Sequence, residues 1–440
     1  MVANSKLGID SNLKQHYILR IYIIIINNIN KNTHACHEYC FVGVRRTWIG
    51  GTSMSAKRNT IDQNRRSYLK LVGAAGVAGL APTTMARAQQ DEWHLGVSIL
   101  GTQDIWLESL ARSAQWYAQD RDDIRITVAN AQVDVSKQVQ DGLRLLNSGV
   151  DGLILSPLDS ESTARVADQA EEQGVPFFNT DSNTFSENVD FWVGFSNFNG
   201  AALAGEQLVK ALERQHGEPR GKVLTVNGPL SSQILVERRD GFMSVMDEYP
   251  DIEVVGQLNT DATESEAVQK TTSFLRSNSD VNAIYTPILT TASGALAALE
   301  RMNMKVKEGE DGHVSFVTID ANQRILEGLK NNFVDFSILD TPLFFNPIAM
   351  KYMVDFLNAD QDPSVLPEIE TTVTEDDLTI EPAEHVGVTV WEEPLWSPAD
   401  IIPFEQDGET LYPHFQIGGT VVDETNADDP FLWPNVAANF

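Results

Sequence analysis

Short apolar runs alternate with longer segments of helical periodicity from residue 92 to about residue 366, and this alternation limits the chain to one class of fold. Apolar runs of this length are typical of strands covered on both faces of a sheet. The predicted strands are His94–Leu100, Ile124–Asn130, Gly152–Ser156, Pro176–Asn179, Trp192–Phe195, Lys222–Asn227, Glu253–Leu258, Ala283–Thr286, Ser315–Asp320 and Asp335–Leu339. The predicted helices are Ile105–Gln119, Lys137–Ser148, Ser162–Gln173, Gly200–His216, Leu235–Glu248, Ser265–Ser277, Ala292–Met302, Asn322–Asn331 and Pro347–Leu357. Regular alternation of this kind predicts an α/β fold with parallel strands and right-handed crossovers.

Ten strands are too many for one compact sheet of this kind, so we expect two doubly wound sheets and therefore two lobes. A new helix opens directly after the strand near Phe195–Asn199, which places the boundary there. The first lobe is assigned residues 91–196 and 341–370, and the second lobe is assigned residues 197–340 and 371–380. Residues 381–440 are rich in Pro, Trp and Glu, and they predict an irregular extension that packs on a lobe through its aromatic side chains.

Residues 54–88 have the order of an export signal. The paired Arg65 and Arg66 precede a short apolar run over 71–81, and Ala86-Arg87-Ala88 forms a small-x-small cleavage site. The arginine pair followed by Ser-Tyr-Leu-Lys resembles a twin-arginine signal. We therefore expect an exported protein that works outside the cytoplasm, at the cell surface or in the equivalent of a periplasm.

Residues 1–53 differ in composition from the rest, and we interpret them as an over-extended start, with Met54 as the true first residue. Both cysteines, Cys36 and Cys40, precede the expected mature chain, so no disulfide is predicted there. Their spacing with His34 and His37 fits no usual zinc pattern, and no metal site is predicted.

The charge of the chain is strongly uneven. Residues 1–88 carry 12 basic and 3 acidic side chains, whereas residues 89–440 carry 20 basic and 59 acidic ones, a net charge of −39. Such a surface repels phosphate backbones, which argues against nucleic acid as a partner. It is most easily tolerated where salt screens self-repulsion, so a salt-loving, haloarchaeal source is expected.

Polar side chains recur where the predicted strands end. They follow the first strand (Ser98, Gln103, Asp104 and Trp106), the third (SPLDS), the fourth (NTDSN) and several strands of the second lobe (Arg238, Asp320 and Asp340). Ligands bind at the carboxyl ends of parallel strands in open α/β sheets. Carboxylates accept hydroxyl donors, and an indole face can stack on a sugar ring. Each residue by itself could instead cap the following helix.

The mature chain offers little support for an enzyme. It has five histidines, none in a paired zinc motif, and it has no nucleophile elbow and no phosphate-binding loop. Asp181 and Asp320 could act as the acid and base of a glycosidase, although the same carboxylates could simply bind hydroxyls. No catalytic residue and no cofactor are predicted.

Four stretches resemble the type I periplasmic sugar-binding proteins of the ribose-binding type, the receptors of ABC importers. They are GVSILGTQDIWLESLARSAQ, VDGLILSPLDSESTARVADQAEEQGVPFFNTDSN, VERRDGF and VSFVTIDANQRILEGLKNN. The resemblance covers roughly Glu92 to Glu375. The chain departs from the family at Ser182, where the ribose type has Arg, at Ile288 and Leu289, where it has Asn-Asp, and at Ile319, which replaces an aromatic residue.

The resemblance implies that the first-lobe residues line one side of the site, that Asp181 binds sugar hydroxyls, and that Arg238 and Asp320 face it from the second lobe. Together with the strand-end argument, the candidate ligand-binding residues are Ser98, Gln103, Asp104, Ile105, Trp106, Ser156, Asp181, Ser182, Arg238, Asp320 and Asp340.

The resemblance also implies a three-strand hinge near Phe195–Asn197, Asp340–Thr341 and Glu370–Val373, and closure of the lobes on a sugar or polyol. We expect a monomer that docks on membrane permease subunits of an ABC importer. Two other functions stay open: a ligand sensor for chemotaxis or signalling, and a secreted carbohydrate-active enzyme of the same fold.

Overall fold

The computed structural model describes residues 92–406 and 408–440. The predictions for residues 1–53 and 54–88, including the start codon and the twin-arginine signal, lie outside these residues. Within the described ranges, none of the helices has the length and apolar character needed to cross a bilayer.

The first lobe is built on an eight-stranded sheet. Its strands along the main run are β1 (Trp93–Ile99), β2 (Ile124–Asn130), β3 (Gly152–Leu155), β4 (Phe177–Thr180) and β5 (Phe191–Phe195). The order across the sheet is β11-β14-β15-β5-β4-β3-β1-β2, where β11 is Thr371–Val373, β14 is Ala399–Gln406 and β15 is Glu409–Ile417. The helices that cover it are α1 (Ile105–Gln119), α2 (Val135–Asn147), α3 (Ser160–Gln173) and α9 (Pro342–Asn358).

The second lobe is built on a six-stranded sheet of order β16-β10-β9-β8-β6-β7. Its strands are β6 (Gly221–Asn227), β7 (Ile252–Asn259), β8 (Ala283–Thr286), β9 (Ser315–Ile319), β10 (Phe336–Leu339) and β16 (Thr420–Val422). Its helices are α4 (Asn197–His216), α5 (Gln233–Met246), α6 (Glu264–Ser277), α7 (Leu289–Arg301) and α8 (Gln323–Lys330). Only β16 runs antiparallel to its neighbour within this described sheet. The predicted α/β class and the ten predicted strands are therefore confirmed.

Helix α1 shows why the local sequence was informative. Asp104 precedes it with extended backbone and accepts a hydrogen bond from the Leu107 amide at 2.9 Å, which satisfies a free N–H of the first turn. Leu110, Ala114 and Tyr117 then recur at helical spacing and are buried against the sheet and α9. The helix spans the predicted residues because both of these signals are local.

Helix α9 begins five residues earlier than predicted. The sequence suggests a start at Pro347, but Pro342 occupies the first turn and Pro347 lies inside the helix. A proline at 347 cannot donate to the carbonyl of Leu343, one turn earlier. The indole of Trp391 donates to that carbonyl instead, at 2.8 Å. The residue that makes the internal proline tolerable thus comes from the C-terminal extension.

The prediction that residues 381–440 form an irregular extension is wrong for most of this segment. It forms a hairpin of β12 (Ala383–His385) and β13 (Val388–Val390), the strands β14, β15 and β16, and the short helix α10 (Trp433–Ala437). Strand β15 pairs in parallel with β5 and antiparallel with β14, so it lies inside the first-lobe sheet. Two prolines of this segment, Pro403 and Pro413, face each other, so both missing N–H donors fall on one rung of the ladder.

The third connection between the lobes also differs from the prediction. The chain crosses from the first lobe to the second at Ser196, after β5, and returns at Asp340–Thr341, after β10; both positions are near those expected. Residues 371–373, assigned to the second lobe from sequence, pair with β14 at the edge of the first-lobe sheet. The third crossover lies at Gly418–Gly419, between β15 and β16. A side chain at position 419 would place its Cβ 2.4 Å from Ile338 Cγ2, which explains a glycine there.

Candidate ligand site between the lobes

The two lobes present the same strand-end geometry. Asp181 follows β4 with φ +63°, and Asp320 follows β9 with φ +66°. The amide of Asp181 donates to Val193 O and the amide of Asp320 donates to Ile338 O, both at 2.9 Å. Aspartate is among the residues that tolerate the left-handed region, so each strand turns sharply and its carboxylate projects from the end of the sheet.

Arg238 lies at the centre of the second-lobe side of the site. It projects from α5 and is only 6% exposed. Its Nε donates to Asn197 Oδ1 and its Nη1 to Pro287 O, both at 2.8 Å, and the guanidinium lies 5.3 Å from the ring centre of Phe195. The same guanidinium reaches Asp320 Oδ2 at 3.4 Å and Asp340 Oδ2 at 3.7 Å. One buried cation therefore connects the first crossover to two strand ends.

Asp340 connects the second lobe to the first. It follows β10 at the second crossover, and its Oδ1 accepts a hydrogen bond from Trp106 Nε1 at 2.8 Å. Trp106 lies in the first turn of α1 and packs edge-on against Phe345, with 6.4 Å between ring centres. The indole predicted to stack on a sugar thus also joins the lobes through its N–H.

The pKa values show how closely these carboxyls interact. Burial raises the pKa of Asp181 to about 6, even though its side chain keeps some contact with solvent, and Arg238 opposes that rise. Burial also raises the pKa of Asp320, again against the Arg238 charge. The pKa of Asp340 is raised well above its usual range, first by burial and then by the charge of Asp320. The charge of Asp320 also raises the pKa of Asp181, and the charge of Asp181 raises that of Asp340, so charges at the strand ends of both lobes act on one another.

The remaining predicted residues fall into two groups. Ser182 Oγ donates to Asp181 Oδ2 at 3.0 Å, and Ser98 Oγ is fully buried with no partner among the described side and main chains, so both could serve a ligand. Ser156 is buried and bonded to Thr180 at 2.7 Å within the first lobe. Asp104 caps α1, although its charge acts on Asp320 across the site. Gln103 and Ile105 are the neighbours of Asp104 in the chain. Gln103 accepts a hydrogen bond from the Thr102 amide, and Ile105 is half-buried at the start of α1.

Sequence reasoning missed two contributors. Asn197, which accepts from Arg238, was recognised as part of a crossover but not as a site residue; its position two residues after a strand end was the available signal. Trp192 donates from its indole to Asp181 O at 3.1 Å, and the His414 ring stacks on it at 3.4 Å. No local signal could have revealed that His414, from the extension, supports the strand end that carries Asp181.

The departure from the family pattern at Ile288 and Leu289 lies at the start of α7. Leu289 is the first residue of this helix, and Ile288, which precedes it, has no side chain that could cap the helix. The Thr291 hydroxyl donates a hydrogen bond to Ile288 O at 3.0 Å, whereas the Thr290 hydroxyl is buried and has no partner among the described residues. Of these two threonines, which directly follow Leu289, Thr290 is therefore the one with a free hydroxyl.

Residues 95–361 of the chain match the family described as the periplasmic binding protein domain. The ribose import binding protein of Bacillus subtilis is 23% identical over 267 residues, which is 61% of this chain and 82% of that protein. The xylitol-binding protein of Mycolicibacterium smegmatis is 25% identical over 273 residues, 61% of this chain and 74% of that protein.

A solved ABC transporter periplasmic solute-binding protein from Actinobacillus succinogenes, with bound D-allose, has the same fold. It superposes with a TM-score of 0.58 at 19% identity and covers 77% of this chain and 100% of its own. The match to the family extends over more than half of the chain. The chain therefore belongs to the periplasmic binding protein domain family.

Proposed function

We propose that this protein is an extracytoplasmic receptor that captures a sugar or polyol and delivers it to an ABC importer. The observation that carries the proposal is the pair of equivalent strand ends from which Asp181 and Asp320 project, with the buried Arg238 beside Asp320 and its charge acting on Asp181 as well. The names of relatives that bind ribose, xylitol and D-allose support the same class of ligand.

The mechanism needs binding only, with no bond made or broken. Carboxylates from both lobes accept ligand hydroxyls, and the Trp106 ring covers an apolar sugar face. Because the ligand contacts both lobes, it stabilises the closed arrangement over the open one. The closed form would then present a distinct surface to the permease subunits.

The direct test is a thermal-shift screen of neutral sugars and polyols, run at low and high salt, because a tight ligand raises the melting temperature by mass action. Asp181→Ala should abolish tight binding of the compound found. Asp122→Ala is the matched control, since Asp122 is an exposed aspartate of the same lobe. Unchanged affinity of Asp181→Ala in calorimetry would remove this residue from the site.

We further propose export through the twin-arginine pathway, a salt-loving source and a monomeric state. The Arg65-Arg66 pair, the acidic mature chain and the resemblance to transport receptors support these points. Replacement of both arginines by lysine should block export of the full chain. The melting temperature of the mature protein should rise with KCl concentration, and light scattering should give the mass of one chain.

A further inference from the structure

The site between the lobes carries more negative than positive charge. The carboxyls of Asp320 and Asp340 lie 3.4 and 3.7 Å from the Arg238 guanidinium, and the charges of Asp181 and Asp104 act on the same group of residues. Among the described residues, Arg238 is the one cation that acts on the carboxyls of Asp181, Asp320 and Asp340.

Most of the donors of this single cation are already in use. Its Nε serves Asn197, and its Nη1 serves Pro287 O and Asp320. The contact to Asp340 is longer, at 3.7 Å. A guanidinium has five N–H donors in a fixed fork, so few remain for a ligand.

Two buried acceptors are left over. Asp320 Oδ1 and Asp340 Oδ2 accept no hydrogen bond from any other described residue, although Asp320 is 6% exposed and Asp340 is 1% exposed. The two carboxyls can share a single proton with each other, and that proton satisfies only one acceptor. A buried carboxylate oxygen without a donor is costly, so this arrangement calls for donors or positive charge from elsewhere.

We propose that the site prefers a polyhydroxy ligand that carries a protonated amine over the neutral parent sugar or polyol, with Asp320 and Asp340 receiving the ammonium group. An ammonium offers three hydrogen-bond donors and a full positive charge, whereas a hydroxyl offers one donor and carries no charge. Its bonds to carboxylate join two opposite charges, whereas a hydroxyl donor is neutral. A sugar acid or sugar phosphate would add a further negative charge to the same space. This inference rests on the proposed function and specifies the ligand class of that site.

The raised pKa values of the three carboxyls agree with this assignment. In the absence of a cation, a buried acidic cluster lowers its charge by binding protons. A bound ammonium takes the place of such a proton, so binding of an aminated ligand near neutral pH should release protons to the buffer.

The test is calorimetry on the mature protein with matched triplets: glucose, galactose and mannose, each with its 2-amino-2-deoxy derivative and its uronate. A fourth pair is myo-inositol and an aminodeoxy-inositol. We expect the amine to bind at least about tenfold more tightly than its parent in the best-binding pair. Phosphate and Tris differ in ionisation enthalpy, so protons released when the amine binds should make the measured binding heat differ between the two buffers.

Asp340→Asn should remove most of this preference, because it keeps an oxygen for Trp106 but loses the charge. Asp240→Asn is the matched control; it makes the same change on the exposed side of α5, where Asp240 pairs with Arg239. If Asp340→Asn does not fold, proton release by the wild-type protein still decides the question. Amines that bind no more tightly than their parents, or do not bind, overturn this inference. Tight binding of neutral compounds in that case leaves the proposed function intact.

Discussion

Trp106→Phe tests whether the indole N–H joins the two lobes. The substitution keeps an aromatic ring against Phe345 but removes the donor to Asp340 Oδ1, a 2.8 Å hydrogen bond to a carboxyl that is 1% exposed. Removal of one partner leaves a buried acceptor unsatisfied, which costs about 1–3 kcal/mol. Trp106 is itself half-buried, so we take a value in the lower half of this range.

A cost of about 1.5 kcal/mol corresponds to roughly a tenfold weaker affinity if the bond forms only when the lobes approach. The full factor is seen when the free protein is mostly open, and a smaller factor when it is mostly closed. The Trp106 hydrogen bond also lowers the pKa of Asp340, so the variant should raise that pKa further.

The assay is calorimetric titration with the compound found in the thermal-shift screen, together with thermal unfolding of the free protein. Trp433→Phe is the matched control, because the buried Trp433 Nε1 has no hydrogen-bond partner among the described residues. Affinity of Trp106→Phe within about twofold of wild type, together with a melting temperature of the free protein no lower than that of Trp433→Phe, would refute the idea that this bond stabilises the ligand-binding arrangement.

Three further predictions concern stability. Trp391→Phe leaves Leu343 O without its donor and should lower the free energy of unfolding by about 1–3 kcal/mol in urea titration, more than Trp433→Phe does. Gly419→Ala should cost about 1–3 kcal/mol, because its Cβ would meet Ile338, whereas Gly418→Ala meets nothing within 4 Å and should be neutral in the same assay. Desolvation lowers the pKa of the buried His313, but its bond to Asp335 at 3.1 Å and the charge of that carboxylate outweigh it, so the pKa is raised. The stabilisation that this pair supplies should be complete below about pH 6.5 and should decline as the pH rises through the folded-state pKa of His313. The difference in urea midpoint between wild type and His313→Gln should therefore shrink with rising pH. A difference that stays constant with pH would contradict this prediction.

The β-α units were predictable because their signals are local. A capping aspartate and an apolar repeat define α1, and short apolar runs define the strands. Asp181 and Asp320 could be singled out since each lies at the end of a predicted strand, and the family resemblance added Arg238. The charge imbalance of the mature chain is likewise a property of composition alone.

Tertiary structure decided what depends on partners distant in sequence. Strand β15 finds its place beside β5, more than two hundred residues away, and nothing within residues 409–417 specifies that neighbour. The same holds for Trp391, which satisfies a carbonyl freed by Pro347, and for Gly419, which passes close to Ile338. Short polar and proline-containing strands have weak local preferences, so their pairing is determined by the sheet edges and unsatisfied groups that the rest of the fold leaves for them.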